Sequence, residues 1–553
     1  MYISFEHRPS NPILFASTLE SLRLFGIMLG PVFAAVTTFS LLLYLFIIPA
    51  AKYFRDPKGL RRYPNLSWWS GITDLHFVYE AHRGFRSKKL LDAHKKSPVV
   101  RIGPNSLSYG DIRAIKDIYG HGTPCTKDLM YSELAGSHYH LADVIDKHEH
   151  ARKRKVLSAA YALKNLETWE HKVADMTARM IKAFDARCTA PLPQGERPAE
   201  KDLTIDYRMW GNLFTVAAIA NIGLSEDLGF FEQGSDLITS EQMNGTIRNV
   251  HFRQCLHATA WAQSNLVWAY GWYHSLIKLS KLVSPKYREM WRLNRDWDGI
   301  VLHRATKRLK RYQAGEKLDD FFSALMEDKS GTPNNLEWGE IVAEVSIMMN
   351  AGSDTTAIAI NNAMYWLLKN PECLHKLRVE IDNALDEDEV VAPYDKIKYL
   401  PYLRACIDEA LRITPPTTFG LPRRTPPEGT PILGEFIPGN TSVSISAYVA
   451  HRDQTVFPDP ETYNPDRWLD ERGRELQPYF ITFSAGARGC IGRNISYLEQ
   501  TVLLASIIHR FEFALAYPEW EPSRRENFNL SPGPMPLKVW RRTKEYSLAD
   551  EKL

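Results

Sequence analysis

Cysteine is scarce in this chain. Its six residues, Cys125, Cys188, Cys255, Cys373, Cys406 and Cys490, are scattered over 553 positions without paired spacing. That pattern excludes a disulfide framework and a zinc-ligand cluster and points to a reducing compartment. Sequons such as those at Asn65, Asn244, Asn440 and Asn494 are accordingly read as unmodified. An excess of either charge is also missing: 68 Lys and Arg against 65 Asp and Glu leave +3. No basic block is long enough to form a nucleic-acid face, so nucleic acid is not an expected partner. A long Gly/Ser or Pro linker is absent after the N-terminal region, so the chain reads as one large domain and not several. With 44% hydrophobic residues it has the material for a large core.

What the sequence does have, first, is a long uncharged run. Residues 24–51, LFGIMLGPVFAAVTTFSLLLYLFIIPAA, exceed the roughly 20 residues that cross a bilayer, which predicts one N-terminal transmembrane helix behind a short lumenal segment, 1–23. A cleaved signal would be shorter and nearer the start. Arg8 and Arg23 precede the run, whereas Lys52, Arg55, Lys58, Arg61 and Arg62 follow it, so the remainder is expected on the cytosolic side. Residues 52–64, with Asp56-Pro57-Lys58-Gly59 and Tyr63-Pro64, are expected to leave the membrane as a stiff proline-containing hinge and not as continued helix.

The rest, 65–541, is mainly α with a small β-rich part, followed by a polar tail, 542–553. Apolar residues recur every three or four positions near 146–163, 166–187, 338–370, 372–386, 399–413 and 493–511. Short β-branched runs at 98–109 and 430–446 read as hairpin strands, and 189–203, 326–337 and 383–396 as surface loops.

The chemistry concentrates in Phe483-Ser-Ala-Gly486-Ala-Arg488-Gly489-Cys490-Ile-Gly492-Arg493, which runs straight into a helical pattern. A metal-bound thiolate needs backbone N–H groups turned toward its sulfur, and so tight a loop calls for glycine at Gly486 and Gly492. The helix beginning after Cys490 adds its positive end. Phe483 can shield the sulfur, and Arg488 suits a carboxylate in two-pronged geometry. Taken singly, each residue fits a bland reading, since a lone Cys before a helix is usually a small buried apolar group. Together, Phe483, Gly486, Arg488, Cys490 and Gly492 match the heme-binding signature, and the chain resembles the cytochrome P450 family, with Cys490 as the proximal thiolate of a heme b iron.

Further residues carry the resemblance. Ala351-Gly352-Ser353-Asp354-Thr355-Thr356 resembles the family's oxygen-activation motif. Asp354 and Thr355 form an acid–alcohol pair that can relay protons, Ala351 and Gly352 leave room for a ligand, and a Thr355 hydroxyl bonded back to the Ala351 carbonyl would hold the helix locally open. Glu409 and Arg412, with Arg467 in Tyr463-Asn464-Pro465-Asp466-Arg467-Trp468, resemble the family's Glu–Arg–Arg network and are given a structural role. His150 and Arg154 on one helical face, and Arg423 in Leu421-Pro422-Arg423-Arg424, resemble its partners for the heme propionates. Arg152, Lys153, Lys155 and Arg493 would form a basic rim on the cysteine side.

The resemblance implies a monooxygenase that inserts one atom of O2 into an apolar small molecule. Its electrons would come from NADPH through a flavoprotein reductase docked on the basic rim, and its place would be the endoplasmic reticulum membrane. The substrate pocket would be built from 121–145, 205–275, the helix before Ala351, the segment from Thr417 to Leu421 and the turn from Ser531 to Pro536. The Trp- and Tyr-rich stretch 261–276 is expected either to dip into lipid or to pack in the core. Anchor, DPKGLRRYP segment and VVRIGPNSLSY strands together resemble the fungal microsomal branch that tailors secondary metabolites. Two other readings stand beside this one. A reductase-independent heme-thiolate isomerase or dehydratase would not need the Asp354–Thr355 pair, and a non-catalytic heme sensor would need neither proton relay nor electron route.

Overall fold

The computed structural model describes residues 35–40, 42–158 and 160–543. Most of the expected membrane span, 24–51, and the tail from 544 onward therefore lie outside the described residues. Among the described residues no helix is long and apolar enough to cross a membrane. The part of the span that is described is helical, and the helix continues past Lys52 to Arg55, where Asp56 adopts left-handed backbone (φ 43°) and ends it. The Asp56 carboxylate then accepts from the Leu60 and Arg61 N–H groups, at 2.8 and 3.1 Å. The exit from the span thus differs from the expected one: helix runs into the hinge, and a capped turn, not extended backbone, redirects the chain.

The elements that position the site are helical. They are α1 (Lys147–Ser158), α2 (Glu170–Asp185), α3 (Tyr207–Leu224), α4 (Phe252–Leu266), α5 (Pro285–Gln313), α6 (Trp338–Lys369), α7 (Pro371–Ala384), α8 (Pro401–Ile413) and α9 (Arg493–Arg510). The periodic segments of the sequence correspond to α1, α2 and α6 to α9, whereas α4 and α5 carry too many polar and aromatic residues to show one clean stripe. Proline supplies several starts, at Pro285, Pro371 and Pro401, where a missing N–H costs nothing because the first turn leaves it unpaired.

Helix α6 is the central beam. Met348, Met349, Ile358, Ile360 and Met364 are buried along it, each burial contributing about 1.5–3 kcal/mol. Helix α3 lies against it: Thr215 donates to the Ser353 carbonyl at 2.6 Å, and a Cβ added at Gly352 would meet Ile219 at 2.8 Å. Gly352 therefore makes room for the neighbouring helix.

Sheet is the minor component. Strands β1 (Val99–Gly103), β2 (Ser106–Tyr109), β3 (Thr126–Lys127), β4 (Arg423–Arg424) and β5 (Ser442–Ile445) form one sheet in the order β1-β2-β5-β4-β3. β2 and β5 are parallel and the other pairs antiparallel. The sheet matters for the site because it carries Lys127 and Arg423 as directly paired residues.

Candidate active site

Cys490 sits in a loop closed by its own backbone. Gly486 to Arg488 make one 3-10 turn, Gly489 N–H donates to the Gly486 carbonyl at 3.0 Å, and Cys490 N–H donates to the Phe483 carbonyl at 2.8 Å. Gly486 has φ +65°, and a Cβ there would collide with the Tyr119 carbonyl oxygen. Glycine is required at that point by both backbone and space. Gly492, by contrast, has φ −80°, which any residue adopts, so its expected role in tightening the loop is not what it does. A Cβ there would stand 4.0 Å from the Cys490 sulfur.

Helix α9 starts at Arg493 with no acidic side chain in its first turn, so its positive end lies at the sulfur. Burial pushes the Cys490 thiol up, opposed by the Gly492 and Arg493 N–H groups and by the charges of Arg154 and Arg493. Yet Cys490 is solvent-accessible. Cys490 is thus enclosed by neighbouring protein yet open on one side of its loop.

On α6, Ala351 is the one exposed residue. Thr355 Oγ1 donates to the Ala351 carbonyl at 2.8 Å, so its hydroxyl engages the helix's own backbone and leaves its lone pairs available. Asp354 Oδ1 lies 2.8 Å from Arg208 Nη2 and 3.2 Å from His257 Nε2, and its Oδ2 accepts from Asn529 at 3.0 Å. Burial would raise this carboxyl, but the His257 hydrogen bond, the Arg208 charge and the Asn529 amide hold it well below the usual carboxylate range.

The flank of the Cys490 loop is crowded with cations. Arg154 donates to the Gly489 carbonyl at 2.7 Å, and Arg488 to the Val144 and Ile145 carbonyls at 2.7 and 2.8 Å. Arg423 reaches the Pro422 carbonyl at 3.2 Å and the Tyr131 hydroxyl at 3.4 Å. Lys127, which sequence reasoning missed, donates to the Ala142 carbonyl and lies 4.8 Å from the Tyr131 ring. Burial, and then the charges of Arg423, Arg488 and Arg154, hold Lys127 well below its ordinary value. His150 is brought to about 3 by burial and then by Arg488, Lys127, Arg154 and Arg423. Arg488 itself falls to about 10 through burial and the nearby Arg423. Burial and the surrounding arginines disfavour the charged forms of Lys127 and His150, so the positive charge of this flank lies on Arg154, Arg423 and Arg488, which bond mainly to neutral carbonyls. An exposed Cys490, an exposed Ala351 on α6 and three arginines bonded to neutral groups suit a flat apolar group bearing a metal and two carboxylates, which is what a heme presents.

The chain matches the Cytochrome P450 family model over residues 116–539. The chain belongs to the cytochrome P450 family. Its relatives include fungal monooxygenases. It is 28% identical over 518 residues to a benzoate 4-monooxygenase of Aspergillus niger, covering 92% of this chain and 97% of that one. It is 29% identical over 484 residues to the cytochrome P450 monooxygenase hepC of Aspergillus oryzae (82% and 88% covered) and 32% over 439 residues to the cytochrome P450 monooxygenase cicH of Emericella nidulans (76% and 82% covered). The protein is therefore a P450 monooxygenase, and membership implies a heme-thiolate centre with O2 and a small molecule as its reactants.

In this P450 a further segment is locked by a buried carboxylate. Glu409 receives Arg412 through two bonds, at 2.8 and 2.9 Å, Arg467 at 3.0 Å, Trp468 Nε1 at 2.8 Å and the Asn464 N–H at 3.0 Å. Trp468 was not among the expected partners, although it adjoins Arg467.

The basic rim is smaller than expected. Lys153 is buried and pairs with Glu340 and, at 3.3 Å, with Glu344, while Arg152 pairs with Glu149 at 2.7 Å and with Glu340. Of the four, Lys153 alone is buried; Arg152 is exposed but paired, and Lys155 and Arg493 are exposed with no ion pair among the described residues. In the aromatic stretch Trp261, Trp268 and Tyr273 are buried in the core, with Trp272 at the surface 5.0 Å from Tyr44 of the N-terminal helix. Core packing, not immersion, accounts for most of those rings.

Proposed function

We propose that this P450 oxidises an apolar small molecule, by hydroxylation, epoxidation or further oxidation, as a tailoring step in fungal secondary metabolism. Cys490 is the proximal thiolate. Arg154, Arg423, Arg488 and His150, with Lys127, would hold the heme carboxylates, and Phe483, Gly486 and Gly492 would shape the loop under it. Electrons would come from NADPH through a flavoprotein reductase, with the domain held on the cytosolic face of the endoplasmic reticulum by its N-terminal helix. The heme, when bound, supplies the activation of dioxygen.

The chain's own residues move the protons. The Thr355 hydroxyl is anchored to the Ala351 carbonyl, so it can pass a proton from water to the reactants' side. Asp354, held ionised by three donors, does not carry a proton near neutral pH; it anchors α3, α4 and the 524–532 hairpin around α6. This narrows the relay expected from the acid–alcohol pair to Thr355 and water.

The observation that carries the reading is an exposed Cys490 in a glycine-bent loop, flanked by Arg154, Arg423 and Arg488, whose guanidiniums bond to neutral carbonyls. Carbon monoxide difference spectra of the reduced protein test it. Wild type is expected to show the red-shifted thiolate band and Cys490→Ala to lose it; a Cys490→Ala protein retaining that band would refute the assignment. Product formation that proceeds without a reductase would instead favour the isomerase reading.

A further inference from the structure

Behind Asp354, on the side away from the cysteine, lies a cavity of about 250 Å³ lined by Arg208, Arg253, His257, Asn527, Ser531 and the 532–534 turn. Its floor is the Asp354 carboxylate, already neutralised by Arg208. Arg253 and His257 stand one turn apart on α4 and so share one face toward the cavity.

Arg253 has no such partner. Its backbone N–H donates to Asp236 Oδ2 at 2.7 Å, but its guanidinium makes no ion pair and no hydrogen bond among the described residues, and its Nε is buried. The acids near it are otherwise engaged. Asp236 Oδ1 binds His251 at 2.8 Å, and Asp206 Oδ1 accepts from the Arg208 and Met535 N–H groups at 3.1 and 2.9 Å. Burial and the nearby Arg208 hold Arg253 below its ordinary value, against the opposing charges of Asp236, Asp206 and Asp354. The side chain is half-buried, with its Nε closed off from solvent and without an acceptor. An anion in the cavity would give that guanidinium the acceptor the fold does not supply.

We propose that this cavity is a binding site for the carboxylate of a small organic acid, held by the Arg253 guanidinium with His257 beside it. Asn527 and Ser531 would supply neutral hydrogen bonds, and Ala260, Pro532 and Pro534 an apolar wall. The volume is slightly below that of ordinary ligand pockets, of about 300–1,000 Å³, so it suits a small acid or the acidic end of a longer molecule. The ligand is therefore either a separate acid or the carboxylate of the substrate itself. The site does not depend on the assignment of the thiolate.

Calorimetric titration of the holoenzyme with phenylacetate, using phenylacetamide as the uncharged isostere, tests the proposal. Phenylacetate is expected to bind and phenylacetamide not. Arg253→Ala is expected to weaken phenylacetate about tenfold or more, with Arg253→Lys between the two. The guanidinium makes no side-chain bond, so Arg253→Ala should fold, and an unchanged carbon monoxide band in that variant confirms it independently of the titration. Phenylacetate binding accompanied by a shift of the heme absorption would identify an acid reaching the heme, and binding without such a shift a separate acid. Absence of phenylacetate binding, equal binding of the amide, or binding indifferent to Arg253→Ala would overturn the site.

Discussion

Arg208 Nη2 stands 2.8 Å from Asp354 Oδ1, with both side chains buried. The pair joins the first turn of α3 to the middle of α6, and Asp354 is held ionised by it. A carboxyl depressed in the folded state adds stability above the ordinary carboxylate range, and that contribution is lost as pH falls through the folded value. Arg208→Ala should therefore destabilise the protein by about 3–5 kcal/mol at neutral pH, because it leaves a buried carboxylate with only His257 and Asn529. Combining Arg208→Met with Asp354→Asn should cost less than the sum of the two single changes. Urea unfolding of the three variants measures this; strict additivity would show that the pair is not coupled.

The Glu409 network makes a graded prediction. Trp468→Phe removes one donor to a buried charged acceptor and should cost about 1–3 kcal/mol. Arg412→Ala removes both bonds of the two-pronged pair along with the donors to the His451 and Pro460 carbonyls, at 2.9 and 2.8 Å, and should cost about 3–5 kcal/mol. Thermal unfolding and bound-heme content, measured together, should fall in that order. Equal losses for the two variants would place the network's weight elsewhere.

How much of this was legible in the sequence depends on how local each feature is. The Cys490 loop and the Thr355 hydrogen bond to Ala351 are set by neighbours within a few residues, so spacing alone exposed them. The partners of Asp354 come from three separate elements, and no pattern around Arg208, His257 or Asn529 announces the convergence. The basic rim failed for the same reason: Glu340 and Glu344 on α6 neutralise Arg152 and Lys153 on α1, a pairing invisible along either segment. At Gly352 the sequence showed only that something comes close, since a small residue signals close approach without naming the helix that packs there.

Asp74 carries a pH prediction. Burial and the charge of Asp128 raise its carboxyl to about 7, and it makes no ion pair among the described residues. It lines a cavity of about 40 Å³ with Asp128, Ser106, Ser442 and Ser444. Between about pH 4 and pH 7 the folded state holds a proton that the unfolded chain has released, so stability falls as pH rises through that window and is level above it. Asp74→Asn should leave stability unchanged near pH 4 and raise it by about 1–3 kcal/mol at pH 8. Denaturant midpoints at the two pH values decide the matter, and a variant equally shifted at both would show that the gain is not electrostatic.

The two glycines flanking Cys490 should respond differently to the same substitution. At Gly486 an alanine meets a left-handed backbone, φ +65°, and a collision with the Tyr119 carbonyl oxygen. Neither can relax without moving the 3-10 turn that places Arg488 and, through the Cys490 N–H bond to Phe483, the sulfur itself. At Gly492 the backbone is ordinary, φ −80°, and the new methyl would rest 4.0 Å from that sulfur, an ordinary van der Waals contact. Gly486→Ala should thus lower heme retention and thermal stability sharply, by about 2–4 kcal/mol from strain and steric conflict. Gly492→Ala should keep the fold, within about 1 kcal/mol, because its helix-start geometry suits alanine. Its effect should appear instead as a small shift of the thiolate-sensitive absorption band, since the methyl changes packing beside the sulfur without displacing it. If Gly492→Ala proved as damaging as Gly486→Ala, the constraint at both positions would lie in the bound heme and not in the loop.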